Sequence, residues 1–212
     1  MPHVVLLGDS IFDNAAYTRG GPDVVAQLRQ VLPDNWTASL LAVDGHRTDD
    51  VGRQLGRIPT EATHLVLSVG GNDALANIGI LDRPAFSSAQ VLGILAEVSA
   101  AFEQRYRRLV ATLAARRLPV TICTIYNGSF PDPLFQRLAS TALCMFNDPI
   151  LRVGFERGLS VIDLRLVCNE PADYANPIEP SSVGGAKIAR AITGAVGATR
   201  EAVVHSRVTG AA

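Results

Sequence analysis

The stretch His3-Val4-Val5-Leu6-Leu7-Gly8-Asp9-Ser10 decides how the chain is read. An apolar, β-branched run that closes on a glycine and two small polar residues predicts a buried parallel strand delivering Ser10 to the loop at its carboxyl end. In open α/β sheets that end is where ligands bind. A serine attacks a carbonyl only if a base takes its proton and donors receive the developing oxyanion, so those parts must lie elsewhere in the chain.

Working outward, the pattern alternates between strands and helices. Pro22-Asp23 opens a helix over Val24–Leu32, since proline and an acid suit a first helical turn. Thr37–Val43 is a second strand, followed by the turn Asp44-Gly45-His46-Arg47, and Thr48 can cap a helix running to about Arg57. His64–Val69 is a third strand ending in the loop Gly70-Gly71-Asn72-Asp73. From Ser87 or Ser88 to about Arg117 apolar residues keep helical period for about eight turns. Val120–Ile125 is a fourth strand, Pro133–Arg157 a helix with Gly158 at C′, and Leu159–Ile162 a fifth strand. Asp163–Pro180 carries no regular period. Ser181 or Ser182 caps a last helix expected to run toward Val203 or Val204, with a frayed tail beyond.

This alternation calls for right-handed βαβ units in one domain spanning residues 1–212: an α/β, three-layer, flavodoxin-like fold. Its five-stranded parallel sheet has order 2-1-3-4-5 and helices on both faces. The switch point then falls between the first and third strands, so Ser10 and Asn72 face each other across one crevice.

The composition excludes several functions. With 19 Lys and Arg against 20 Asp and Glu, the chain lacks the basic excess of a nucleic-acid binder. Its apolar stretches are broken well before bilayer-spanning length, so no stable membrane insertion is expected. No secretory signal pattern precedes the first strand, which gives a cytoplasmic expectation. Cys123, Cys144 and Cys168 are odd in number and widely spaced, which argues against a disulfide framework and a zinc site. Cys123, inside an apolar strand, reads as a small core residue. No cofactor or metal is implied, the expected partner is a small ester or acyl substrate, and the oligomeric state is left unknown.

Three strand-ending segments stand in order: Gly8-Asp9-Ser10, Asp44-Gly45 and Gly70-Gly71-Asn72-Asp73. Each alone could be an ordinary turn or capping loop, but together they resemble the GDSL family of esterases and lipases, the SGNH hydrolases. The resemblance implies a nucleophile at Ser10, and oxyanion donors at the Gly45 backbone N–H and the Asn72 carboxamide. It reaches the end of the chain, because Asn176-Pro177-Ile178-Glu179-Pro180 has the layout of the family's last block. There the sequence departs: the family has aspartate, two residues, then histidine, where this chain has Asn176 and Glu179. Base and orienting acid are both replaced.

Three explanations are open. Glu179 can take the histidine's place, an arrangement similar to the serine-carboxyl peptidases. An unperturbed glutamate is about 2 pK units less basic than histidine, about 2.7 kcal/mol, which burial can partly remove. Alternatively His46, in a loop at the correct sheet edge, approaches Ser10, whereas His3 and His64 start strands at the opposite edge and His205 is in the tail. Or the chain has lost hydrolysis and only binds an acyl or carboxylate ligand. The reading adopted is a hydrolase of esters or thioesters through an acyl-enzyme on Ser10, with Glu179 as base. Asp9, His46, Tyr126, Asn127 and Asn176 are expected around the substrate, with Asp9 and Asp73 bracing their loops by accepting backbone N–H bonds. Asp13 and Asn14 are expected to cap a short helix, and Asp163 to reach Arg165 or the final loop.

Overall fold

The structure, a computed structural model, describes residues 1–197 of the chain. Its strands are β1 (His3–Gly8), β2 (Thr37–Leu40), β3 (His64–Ser68), β4 (Val120–Cys123) and β5 (Ser160–Ile162), and its helices α1 (Val24–Val31), α2 (Val51–Leu55), α3 (Gly71–Leu75), α4 (Ser88–Ala114), α5 (Pro133–Glu156), α6 (Leu164–Val167) and α7 (Ser182–Ala195). All strand pairs are parallel and the order is β2-β1-β3-β4-β5, as the alternation predicted.

Strand residues alternate between two apolar layers. Val5, Leu7, Leu65, Leu67 and Ile122 pack beneath Val51 of α2, Phe102, Tyr106 and Val110 of α4, and Phe146 and Ile150 of α5. Val4, Leu6, Val66 and Cys123 face Val24 and Leu28 of α1, Leu164 of α6, and Ile188 and Ile192 of α7. Cys123 is thus a core residue, as expected.

Side-chain caps set several helix starts. Asp23 accepts from the Ala26 N–H, Ser87 from Gln90, Asp132 from Leu134, and Ser181 from Val183 and Gly184. In α5, Pro149 cannot donate to the carbonyl of Met145 four residues earlier. The Ser99 hydroxyl of α4 donates to that carbonyl instead, at 2.7 Å, and so ties α4 to α5 beside the site.

Some expected boundaries move. β2 stops at Leu40, not Val43, because Leu41 and Ala42 both donate to the Leu6 carbonyl and break the register. Thr48 does not cap α2: its N–H and hydroxyl go to Asp73, and the helix starts at Val51. β4 ends two residues early, where Ile125 donates to the Asn147 side chain. The expected loop after β3 folds into α3, and Asp163–Pro180 contains α6 and a short 3-10 turn over Pro171–Asp173; neither helix is long enough to show a period in sequence. Helix α7 ends at Ala195, with Gly197 in a left-handed conformation. The expected run to Val203 or Val204, the tail and His205 lie outside the described residues.

Candidate active site

Ser10 leaves the sheet through a turn that only glycine permits. Gly8 has φ +128°, and a Cβ there would fall 1.7 Å from the Ser68 carbonyl oxygen. The Asp9 N–H donates to that oxygen, and the Phe12 and Asp13 N–H groups return to the Asp9 carbonyl, closing the turn around Ser10. Both backbone groups of Gly8 bond the Gln54 carboxamide of α2, its N–H to Oε1 at 2.9 Å and its carbonyl from Nε2 at 2.7 Å. Gln54 is fully buried and was not singled out from sequence, although a polar residue beside the apolar stripe Val51, Leu55 was a signal available there.

Asp9 braces the turn, accepting from the Ile11 N–H at 3.2 Å. Burial pushes its carboxyl up to about 8, against that backbone bond, and the nearby charges of Glu179, Asp73 and Asp44 add to the rise.

The second loop is braced by Asp13 and Tyr17. The Asp44 N–H donates to Asp13 at 3.0 Å, and the Tyr17 hydroxyl donates to Asp44 at 2.7 Å. Asp13 is therefore a brace of the Asp44 loop, not a helix cap. Asn14 also caps elsewhere than expected, accepting from the Val24 N–H of α1 and donating to the Pro180 carbonyl. At Gly45 the chain takes φ +78°. Among the described residues the N–H groups of Gly45 and Ser10 donate to no protein acceptor.

Asn72 sits in the first turn of α3, and its amide donates one N–H to the His46 carbonyl at 3.0 Å. The carboxamide's second N–H is left for another acceptor. Asp73 braces the neighbouring loop through Thr48, with the Arg105 guanidinium 3.5 Å away.

The last block is fixed by its backbone. The Asn176 side chain accepts from the Ile178 and Glu179 N–H groups, both at 3.0 Å, as an Asx turn. The Tyr126 hydroxyl donates to the Ile178 carbonyl at 2.6 Å. This anchoring turns Glu179 inward, 7% exposed, onto the same cleft as Ser10. Burial pushes its carboxyl up to about 7; the neighbouring Ser10 hydroxyl opposes the rise, while Asp44 adds to it. The buried Glu179 Oε2 has no hydrogen-bond partner.

Two expected substrate neighbours stand elsewhere. Asn176 is exposed, spends its oxygen on backbone N–H groups and does not line the cleft. His46 does not line it either, because its Nδ1 is taken by Gln54 Nε2 at 2.9 Å. Asp9, Tyr126 and Asn127 do line it. Asp163 pairs with Arg165 and accepts from Thr124, which together hold its carboxyl below the usual carboxylate range despite its partial burial.

From Ser10 the cleft extends over α3 and between α4 and α5, enclosing about 1100 Å³ with its mouth included. Its distal walls are apolar, with Leu75, Leu95, Val98, Phe135 and Phe146 among them. Long-range packing assembles these residues, so no local motif announces them. Among the described residues no three His, Cys, Asp or Glu side chains gather as a metal site, and no helix is long and apolar enough to cross a membrane.

The fold is similar to that of several solved esterases and lipases. A lipase from a goat rumen metagenome matches with a TM-score of 0.71 at 20% identity, over 94% of this chain and 99% of that one. An extracellular lipase from Streptomyces rimosus matches at 0.62 and 17%, over 92% and 99%. A phospholipase A1 from Streptomyces albidoflavus NA297 matches at 0.66 and 15%, over 92% and 98%. No curated protein matches the chain in sequence. The profile of the GDSL-like Lipase/Acylhydrolase family matches residues 6–184, so the chain belongs to that family and is an ester-hydrolysing enzyme.

Proposed function

We propose that this enzyme cleaves carboxylic esters or thioesters through an acyl-enzyme on Ser10, with Glu179 replacing the family's histidine as general base. In the first half-reaction the Ser10 hydroxyl oxygen bonds to the acyl carbon while its proton passes to the Glu179 carboxylate. The carbonyl oxygen becomes an oxyanion and receives hydrogen bonds from the N–H groups of Gly45 and Ser10 and from the second N–H of Asn72. As the tetrahedral species collapses, the bond to the alcohol or thiol breaks and Glu179 returns its proton to the leaving atom. Water repeats the sequence on the acyl-enzyme, losing a proton to Glu179, and releases the carboxylic acid with Ser10 restored.

The observation that carries this reading is Glu179 itself: inward, buried, beside the Ser10 hydroxyl, with a pKa of about 7. Burial removes the deficit in basicity that an ordinary glutamate has against histidine. The free N–H groups of Gly45 and Ser10 support the oxyanion assignment. The Asx turn at Asn176 supports a serine–glutamate dyad, since Asn176 orients Glu179 through its backbone and leaves the carboxyl alone. The free thiols Cys123, Cys144 and Cys168 fit the reducing cytoplasm as the working compartment.

The test is fluorophosphonate labelling with peptide mapping, beside turnover of p-nitrophenyl acetate. Label on Ser10, lost in Ser10→Ala together with turnover, is the expected result. Label on another residue, or full turnover by Ser10→Ala, overturns the assignment.

A further inference from the structure

The two sides of the cleft differ in chemistry. Toward β3 and β4 it is walled mainly by apolar side chains, Leu75, Leu95, Val98, Phe135 and Phe146 among them, with Asn77 as a polar neighbour. Toward β1 and β2, just outside the cleft lining, stand acidic and hydroxylic groups: Tyr17 bonds Asp44, Asp13 holds the Asp44 backbone, and Asp44 adds to the rise of the Glu179 carboxyl. Glu179 stands at the junction.

We infer that the acyl half of the substrate is a medium or long hydrocarbon chain, about eight carbons or more, lodged between α4 and α5, with its length set by Ala139 and Ala142. This rests on the acyl-enzyme reading of Ser10 and deepens it. The direction follows from the proton: the group that leaves must lie where Glu179 can protonate it, on the acidic side, which suits an uncharged polar alcohol. The acyl chain then takes the apolar side. Ala139 and Ala142 lie three residues apart on one face of α5 and both line the cleft. They are the small residues among larger neighbours, so the space over them exists because their side chains end at Cβ. The Ser99 bond to Met145 keeps α4 from drifting toward that space or away from it.

An acetyl group would leave the apolar wall unfilled. Each methylene buried there raises the affinity about fourfold, and where the contact persists into the transition state it raises kcat/KM by the same factor.

The experiment measures kcat/KM for p-nitrophenyl acetate, butyrate, hexanoate and octanoate with the wild-type enzyme and with Ala139→Phe and Ala142→Phe. The octanoate-to-acetate ratio should be at least about 10², given six added methylenes, and each variant should cut it tenfold or more. A flat or falling series in the wild type, or an unchanged ratio in both variants, overturns the inference. Ethyl octanoate should be preferred to octyl acetate; the reverse order overturns the acyl placement. Calorimetric titration of Ser10→Ala with octanoate and acetate supplies a readout without turnover, in which octanoate should bind and acetate should not. If labelling shows that Ser10 is not the nucleophile, the proposed mechanism fails, while these binding and ratio measurements still report on the chain pocket by themselves.

Discussion

The Gln54 carboxamide fixes which nitrogen of His46 carries its proton. Gln54 Oε1 accepts from the Gly8 N–H, so its other terminus must be the NH2 group, and that group meets His46 Nδ1 at 2.9 Å. An NH2 group can only donate, so Nδ1 accepts and the neutral ring carries its proton on Nε2. Such an imidazole has no free lone pair to offer Ser10. His46→Ala should therefore leave kcat within about threefold of wild type on p-nitrophenyl butyrate, well short of the 10²–10⁴-fold contribution of a general base. Gln54→Leu, which strands the Gly8 N–H while the Gly8 carbonyl keeps its bond from the Val43 N–H, should cost about 1–3 kcal/mol in urea unfolding.

Glu179 sets the pH profile. Its pKa is raised from 4.5 to about 7, and the base must be ionised, so kcat/KM should fall about tenfold per pH unit below pH 7. That limb lies where a histidine limb would lie. Its temperature dependence separates them, because carboxyl ionisation is nearly athermal and imidazole ionisation is not. Glu179→Gln should lose at least about 10² in kcat.

The same shift predicts a stability change of definite sign. A carboxyl whose pKa is higher in the folded than in the unfolded state binds its proton more tightly when folded, so its contribution is full below about 4.5 and is lost as pH rises through about 7. Glu179→Gln, which cannot ionise, should melt above wild type at pH 9 and close to it at pH 4. A Tm difference independent of pH would show that the carboxyl is not desolvated in the folded protein.

Asn72→Ala removes a donor whose bond strengthens as charge develops on the oxyanion, and kcat should drop about 10²–10³-fold. It also removes the bond to the His46 carbonyl, which should lower stability by about 1 kcal/mol. Activity within twofold of wild type would remove Asn72 from the oxyanion site.

Gly8→Ala should not yield folded protein. The added Cβ meets backbone at 1.7 Å, and the strand cannot retreat because its neighbour β3 is paired through Gly8 to Ser68. Soluble expression with a wild-type melting curve would contradict the turn geometry.

The sequence by itself determined the sheet. Val4 to Leu7 and Leu65 to Leu67 are apolar on both faces and Val120 to Cys123 is interrupted only by Thr121, and only a parallel sheet covered by helices buries such strands, so the sheet and its crevice followed from local pattern. Ser10, Gly45 and Asn72 were candidates because each stands in a short segment at the carboxyl end of one of the first three strands, and Glu179 because it occupies the histidine position in the last block of the family the chain resembles. Tertiary structure decided what those residues can do. The basicity of Glu179 depends on burial beside Ser10, and burial is a property of what packs around a residue, not of the residue's neighbours in sequence. The tautomer of His46 depends on Gln54, eight residues along the chain, and the apolar gallery on α4 and α5 meeting across the Ser99 to Met145 bond. Local sequence fixes backbone preference and hydrophobic period. Protonation state, donor direction and cavity shape arise from contacts between segments distant in sequence, and these exist only once the chain has folded.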